Sequence, residues 1–312
     1  MSNGNPKYLD FTQKPDFQQI LTNPILDIAA RFWEDDRYDA FRTCYRSMRV
    51  IDDLVDDRKS SGEPISESEK KRLALQLTGW FRAFSDRTPT DDFQQNLIDT
   101  AERFQIPDWP WRRLLEAMLY DLNNDGFSTL LSFRRYAEGA AVSPASVFMH
   151  LCGVTKGGSR FHAPDFDVRK AARPLALFSY LVHIIRDFQK DQLSNLNYFA
   201  DDLVRDHSLD QRALKSVAEG QDIPQGFRSL IERYREFADY YRRTARKVID
   251  RTLPQLLPPY QLSLEIIYSL YLQICERIDV EGGLFTTEEL NPTPQQVSDR
   301  IYATVSQFKA VQ

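Results

Sequence analysis

Glycine is scarce in this chain, 12 in 312 residues, which argues against a turn-rich all-β protein whose hairpins would depend on it. Cysteine is scarcer. Cys44, Cys152 and Cys275 stand far apart with no paired metal-ligand spacing, which speaks against a zinc ribbon or a disulfide framework and fits reduced thiols in a cytoplasmic protein. The four histidines, His150, His162, His183 and His207, include no pair four residues apart, so a histidine-held metal lacks support. No run approaches the roughly 18 apolar residues that a membrane span needs. The opening MSNGNPKYLDFTQKPDF has neither the basic start nor the apolar core of a secretion signal, and peripheral membrane contact stays open. Charge of neither sign is massed. The 40 Lys and Arg are interspersed among 45 Asp and Glu for a net charge of −5, without the basic stripe that nucleic-acid binding requires.

What the chain does have is helical period and aromatic side chains, 20 Phe and 14 Tyr, enough to line an interior surface. Residues 1–23 read as an irregular arm ending at Asn23-Pro24. From residue 24 to 312 apolar positions recur at helical spacing, broken by short polar stretches such as RKSSGEPISES, SDRTPTDD and GGSRFHAPDFD. SFRRYAEGAAVSPASVFMHLCGV and RKAARPLALFSYLVHIIRDFQKD each read as helix, with Pro144 and Pro174 starting or kinking segments. No strand alternation is sustained, no repeat is visible and no linker divides the chain. The expectation is one large all-α domain.

Two segments carry the chemistry. YRSMRVIDDLVDD places Asp52 and Asp56 four residues apart beside Arg49, and HIIRDFQKD places Asp187 and Asp191 likewise beside Arg186. On a helix, positions i and i+4 lie about 5–6 Å apart, so both carboxylates of a pair reach the same side. Asp52, Asp53, Asp56 and Asp57 crowd an otherwise apolar pattern although aspartate is a poor helix former and like charges at this spacing repel. Asp187 and Asp191 follow LALFSYLVHII, apolar enough to be buried, where an ionised carboxylate needs a partner or a metal. Arg186 and Lys190 are alternative partners, and an exposed acidic face is the alternative for the first pair. Two facing pairs suit a hard cation such as Mg2+, which takes one or two carboxylates from protein and the remainder from phosphate and water.

On these motifs the chain resembles the squalene/phytoene synthase family, the trans-isoprenyl diphosphate synthases that join prenyl chains head to head. The resemblance spans residues 23–278. It rests on YRSMRVIDDLVD and IIRDFQKD, with weaker echoes in YAEGAAVS at 136–143 and IIYSLYLQICERI near the end. It implies an isoprenoid-synthase helical bundle around a central cavity. It further implies that Asp52 and Asp56 bind Mg2+ from one wall and Asp187 and Asp191 from the other, as the catalytic carboxylates, bridged by the diphosphates of the substrates. Arg49 matches a diphosphate-contacting arginine and Tyr45 a tyrosine one turn earlier, which is assigned a catalytic role, while Arg186, a retained arginine, and Tyr198, the tyrosine after the second motif, are assigned with Arg49 to substrate binding. Tyr268 is assigned to substrate binding on a weaker match, with an aromatic core role equally open.

The implied reaction ionises one prenyl diphosphate, farnesyl or geranylgeranyl. A second chain then attacks to form a cyclopropyl intermediate, which rearranges to a squalene-like or phytoene-like product. Small residues such as Gly139 and Ala140 would make room for the chains or pack helices closely. The chain departs from the family pattern at Tyr180 and His183, where Gln and Asn are common, at Lys190 in place of an acidic residue, at Leu196 in place of a basic one, and near Asn23 and Ile25, where paired serines are usual. Two other readings fit the same residues: an enzyme that cyclises or hydrates a single prenyl cation, and a non-catalytic assembly or lipid-binding relative. Substrate length, use of NADPH and oligomeric state are left open.

Overall fold

Apolar residues at helical spacing can be buried only by packing helix against helix, and that is how the chain folds. The computed structural model describes residues 24–311; the arm read over residues 1–23 lies outside them. In chain order come α1 Ile25–Ala30, α2 Asp35–Ser60, α3 Glu67–Ser85, α4 Asp92–Arg103, α5 Trp109–Asn123, α6 Leu130–Ala137 and α7 Ser143–Gly153. A short antiparallel hairpin follows, β1 Thr155–Gly157 with β2 Arg160–His162. Then come α8 Val168–Arg186, α9 Phe188–Leu193, α10 Asp201–Asp206, α11 Gln211–Ala218, α12 Gln225–Thr252, α13 Pro258–Cys275, α14 Thr287–Leu290 and α15 Pro294–Gln307.

Four details depart from the expectation. The stretch RKSSGEPISES begins as helix, because α2 continues through Arg58 and Lys59 to Ser60. Arg58 forks onto Glu69 and the Glu63 and Pro64 carbonyls, and so fastens the last turn of α2 to the start of α3. The helix read through YAEGAAVS contains a π turn, Glu138–Val142, joining α6 to α7. Pro144 has no N–H to offer the Ala140 carbonyl, and the widened turn just before it accommodates that loss. The helix through HIIRDFQKD breaks at Asp187, the hinge residue between α8 and α9. Asp191 N–H still donates to the Asp187 carbonyl at 2.8 Å, so the i, i+4 relation of the two aspartates survives the break. The hairpin turns at Gly158, whose φ of +64° suits a residue without Cβ.

Buried polar contacts set the walls in register. The Trp111 indole N–H donates to Ser47 Oγ at 2.8 Å, tying α5 to the middle of α2. The Trp33 indole does the same to Ser263 on α13, also at 2.8 Å. Arg37, 3% exposed, caps α7 by donating to the Leu151 carbonyl and, at 3.0 Å, to the Val154 carbonyl, while its guanidinium lies over the Tyr260 ring at 4.2 Å. Helix α12, 28 residues long, runs along α8. Replacing a fully buried anchor such as Trp111 by Ala costs roughly 3–5 kcal/mol.

Candidate active site

Helices α1, α2, the π turn with α7, α8 and α13 enclose a cavity of about 1110 Å3. Its acidic end takes Asp52, Asp53, Asp56 and Asp57 from α2 and, across the opening, Asp187 and Asp191 from the α8–α9 junction. Tyr45, Arg49, Arg186 and Tyr198 line it as well, so both motifs meet at one place. Its apolar interior is formed by residues such as Ala140, Phe148, Leu175 and Leu264.

Tyr268 is the exception, and it does not line the cavity. The cavity face of α13 is Ile267, Leu270, Tyr271 and Ile274, a run at i, i+3, i+4 and i+7, and Tyr268 is turned away by about one residue's 100° step. It packs against Phe178, with ring centroids 6.0 Å apart, and under the Arg246 guanidinium. Tyr271 is the cavity tyrosine of that helix. Tyr136 is a further cavity residue. It is 4% exposed and faces the cavity from the end of α6, in the YAEGAAVS segment quoted above only for its small residues. Those small residues divide. Ala140 lines the cavity, whereas a Cβ on Gly139 would stand 2.3 Å from the Arg113 carbonyl and 2.5 Å from Ala117 Cβ, so Gly139 serves the packing of the π turn on α5.

Charge is distributed unevenly between the pairs. Asp187 is gripped by the Arg186 fork at 2.6 and 2.8 Å and by His183 Nε2 at 2.9 Å. Because Arg186 also donates to His183 Nδ1, the imidazole proton sits on Nε2 and is directed at Asp187. Burial alone would raise the Asp187 carboxyl, but these partners hold it well below the usual carboxylate range. Its neighbours lack that compensation. Burial pushes Asp191 up to about 7, helped by the Asp187 charge. Burial pushes Asp56 up to about 7, helped by Asp52 and Asp121. Asp52 rises to about 6 by burial, with Arg49 pulling against the shift and Asp53 and Asp121 adding to it. Arg49 donates to Asp52 at 2.6 Å and to Asp53.

Polar satisfaction fails here too. Among the described residues, the buried side-chain atoms without a partner include Asp56 Oδ1, Ser179 Oγ and Gln273 Oε1, all from cavity residues. Native interiors leave few such atoms unpaired, and their concentration marks a place completed by a ligand. Among the described residues no three His, Cys, Asp or Glu side chains converge into a cage that would hold a metal alone. Facing carboxylates with uncompensated charge and an orphaned oxygen therefore fit a hard cation that completes its shell with phosphate and water.

The aromatic wall completes the picture. Tyr180 stacks on Phe133 at 5.7 Å and meets Tyr198 edge-on at 6.5 Å. Burial pushes the hydroxyl of Tyr45 up to about 12 and those of Tyr136, Tyr180 and Tyr198 well above the ordinary tyrosine value, so these hydroxyls stay protonated.

Comparison with known proteins gives a family and a fold. A family model described as squalene/phytoene synthase matches residues 28–298. No curated protein sequence matches the chain. Among solved structures, a ligand-bound dehydrosqualene synthase superposes with a TM-score of 0.66 at 14% identity, over 97% of this chain and 100% of that one. Squalene synthase HpnC from Alicyclobacillus acidocaldarius gives 0.64 at 13% identity, over 87% of this chain and 92% of that one. At those identities the likeness is one of fold, the all-helical architecture around a central cavity.

Proposed function

Because the chain belongs to the squalene/phytoene synthase family, a family of prenyl-transferring synthases, we propose that its cavity joins two prenyl diphosphates head to head, with Mg2+ held between the aspartate pairs. The observation that carries the reading is the meeting of Asp52 and Asp56 with Asp187 and Asp191 at one end of an apolar cavity, with Asp56 Oδ1 buried and unpartnered. Ligand pockets commonly measure about 300–1000 Å3, so a cavity of about 1110 Å3 is large enough for a bulky apolar substrate.

The four aspartates would hold the cation, which supplies neutralisation of the charge that develops on a departing diphosphate. Arg49 and Lys190 line the same acidic end and offer cationic donors to that group. Arg186 and His183 keep Asp187 ionised and fixed in orientation, so that it need not reorganise during reaction. Loss of diphosphate leaves an allylic cation among Tyr45, Tyr136, Tyr180 and Tyr198, whose rings attract positive charge and whose buried hydroxyls resist acting as bases. Phe148, Leu175 and Leu264 exclude the water that would quench it.

The test is incubation of purified protein with Mg2+ and either farnesyl or geranylgeranyl diphosphate, with and without NADPH, followed by mass analysis of extracted lipid and assay of released diphosphate. A C30 or C40 product is expected. It should disappear in EDTA and fall by at least about 100-fold in rate in an Asp52→Asn, Asp187→Asn double variant. A C15 or C20 product would replace this reading with a single-substrate enzyme, and folded protein that releases no diphosphate would overturn both.

A further inference from the structure

Lys59 stands one turn beyond Asp56 on α2, at the i, i+3 spacing where a lysine and an aspartate ordinarily pair. It turns elsewhere. Its ammonium donates to three oxygens at the C-terminal end of α5: the Asp121 carboxylate at 2.7 Å, the Asp121 carbonyl at 3.1 Å and the Asn124 carbonyl at 2.8 Å. All three of its donors are thereby used, and the end of a helix is where a cation is favoured. The pair is well shielded, with side-chain exposures of 13% for Lys59 and 8% for Asp121. Asp56 meanwhile keeps a buried oxygen with no partner, although a flexible cation is anchored within its reach. A buried carboxylate and a nearby lysine would normally join unless something prevents it.

We propose that Asp121 and the end of α5 hold the Lys59 ammonium away from Asp56, which keeps the first aspartate pair open to a divalent cation and its diphosphate. Neither Lys59 nor Asp121 lines the cavity. Both are positioning residues. Released from Asp121, Lys59 would fold back onto Asp56, occupy its carboxylate and repel an incoming cation. The assignment rests on the reading of the aspartates as a Mg2+ site and names what keeps one half of that site accessible.

The experiment is calorimetric titration of the full chain with Mg2+ in the presence of saturating inorganic diphosphate, with thermal melting to establish folding. Asp121→Asn should weaken Mg2+ binding at least about tenfold, the scale seen when an outer partner of a metal ligand is lost. Lys59→Met should leave it within about twofold, since the lysine already stands aside. The double variant Lys59→Met, Asp121→Asn should return to the Lys59→Met value, and it is expected to fold because replacing both partners of a buried pair is close to neutral. If the single Asp121→Asn variant melts below the titration temperature, all variants are titrated with trimethylamine N-oxide or sucrose present, which favours the folded state without touching the site. Three results would overturn the proposal: wild-type binding in folded Asp121→Asn, a double variant still weakened, which would assign the effect to the Asp121 charge itself, or weakened binding in Lys59→Met, which would make the lysine a diphosphate contact. Wild-type protein that binds no Mg2+ with diphosphate would overturn the metal site itself, and this assignment with it.

Discussion

The uneven compensation of the aspartates has a consequence in solution before any substrate is added. Asp52, Asp56 and Asp191 titrate near 6, 7 and 7 in the folded protein against 3.8 for an unperturbed aspartate. Between about pH 4 and pH 7 these three groups bind more protons in the folded chain than in the unfolded one, so their contribution to stability falls as pH rises through that window, and His150, which burial holds below its ordinary value, opposes it as one group against three. Asp187 acts in the opposite sense, but its contribution is fully present above the unfolded carboxylate value and is lost only below about pH 4. In EDTA, the melting temperature should be higher at pH 5 than at pH 7.5, by at least about 2 °C. Asp56→Asn should flatten that slope. A melting temperature that rises steadily over the same range would show that the carboxylates are not strained in this way. At this scale the sequence was readable where spacing alone decides: Asp52 and Asp56 share a face because four residues make one helical turn. It was not readable for Tyr136 and Tyr271, because an aromatic residue in an apolar run looks the same whether it faces a cavity or the core.

At the scale of elements, long helices could be read from period, and their interruptions could not. No glycine or proline marks the break at Asp187, and beyond it α9 is held by Gln189, whose side chain donates to the Ala218 carbonyl and accepts from the Thr287 N–H. The π turn is signalled only in part, by Pro144 and by Gly139, a weak helix former, neither of which tells a π turn from a kink or a helix end. What fixes it is external. Gly139 sits against the Arg113 carbonyl, and Glu138 is held by Arg169 at 2.7 Å and by Arg173, both from α8. Two neighbouring substitutions should therefore behave differently. Gly139→Ala forces its Cβ into backbone and should destabilise the protein by about 1–3 kcal/mol, measured by denaturant unfolding. Ala140→Leu projects into the cavity instead and should alter stability little while shortening or abolishing the condensed product, measured by the lipid assay. Equal destabilisation by both would mean that Ala140 belongs to the packing as Gly139 does.

For the whole molecule, the cavity is both the reason for the fold and its weak point, because orphaned polar atoms and unbalanced charge are gathered around one opening. Among the described residues no helix is long and apolar enough to cross a membrane. Mg2+ with inorganic diphosphate should stabilise the entire domain, by about 2.7 kcal/mol at a hundredfold excess over the dissociation constant, whereas neither alone should do so fully. Differential scanning fluorimetry with each component separately and together checks this, and stabilisation by diphosphate without metal would point to arginine rather than cation binding. The π turn also governs how the cavity's long wall is numbered. Each helical residue advances about 100°, so in an uninterrupted α-helix Pro144 and Phe148 would point about 80° and 120° away from Tyr136. The π turn absorbs one residue, and with that residue discounted both fall within about 20° of it. Tyr136 and Phe148 thus share one surface because the π turn takes up a single extra residue between them, so a one-residue deletion there should leave a regular α-helix with both still on that surface, whereas one residue more would rotate half of that wall out of the cavity.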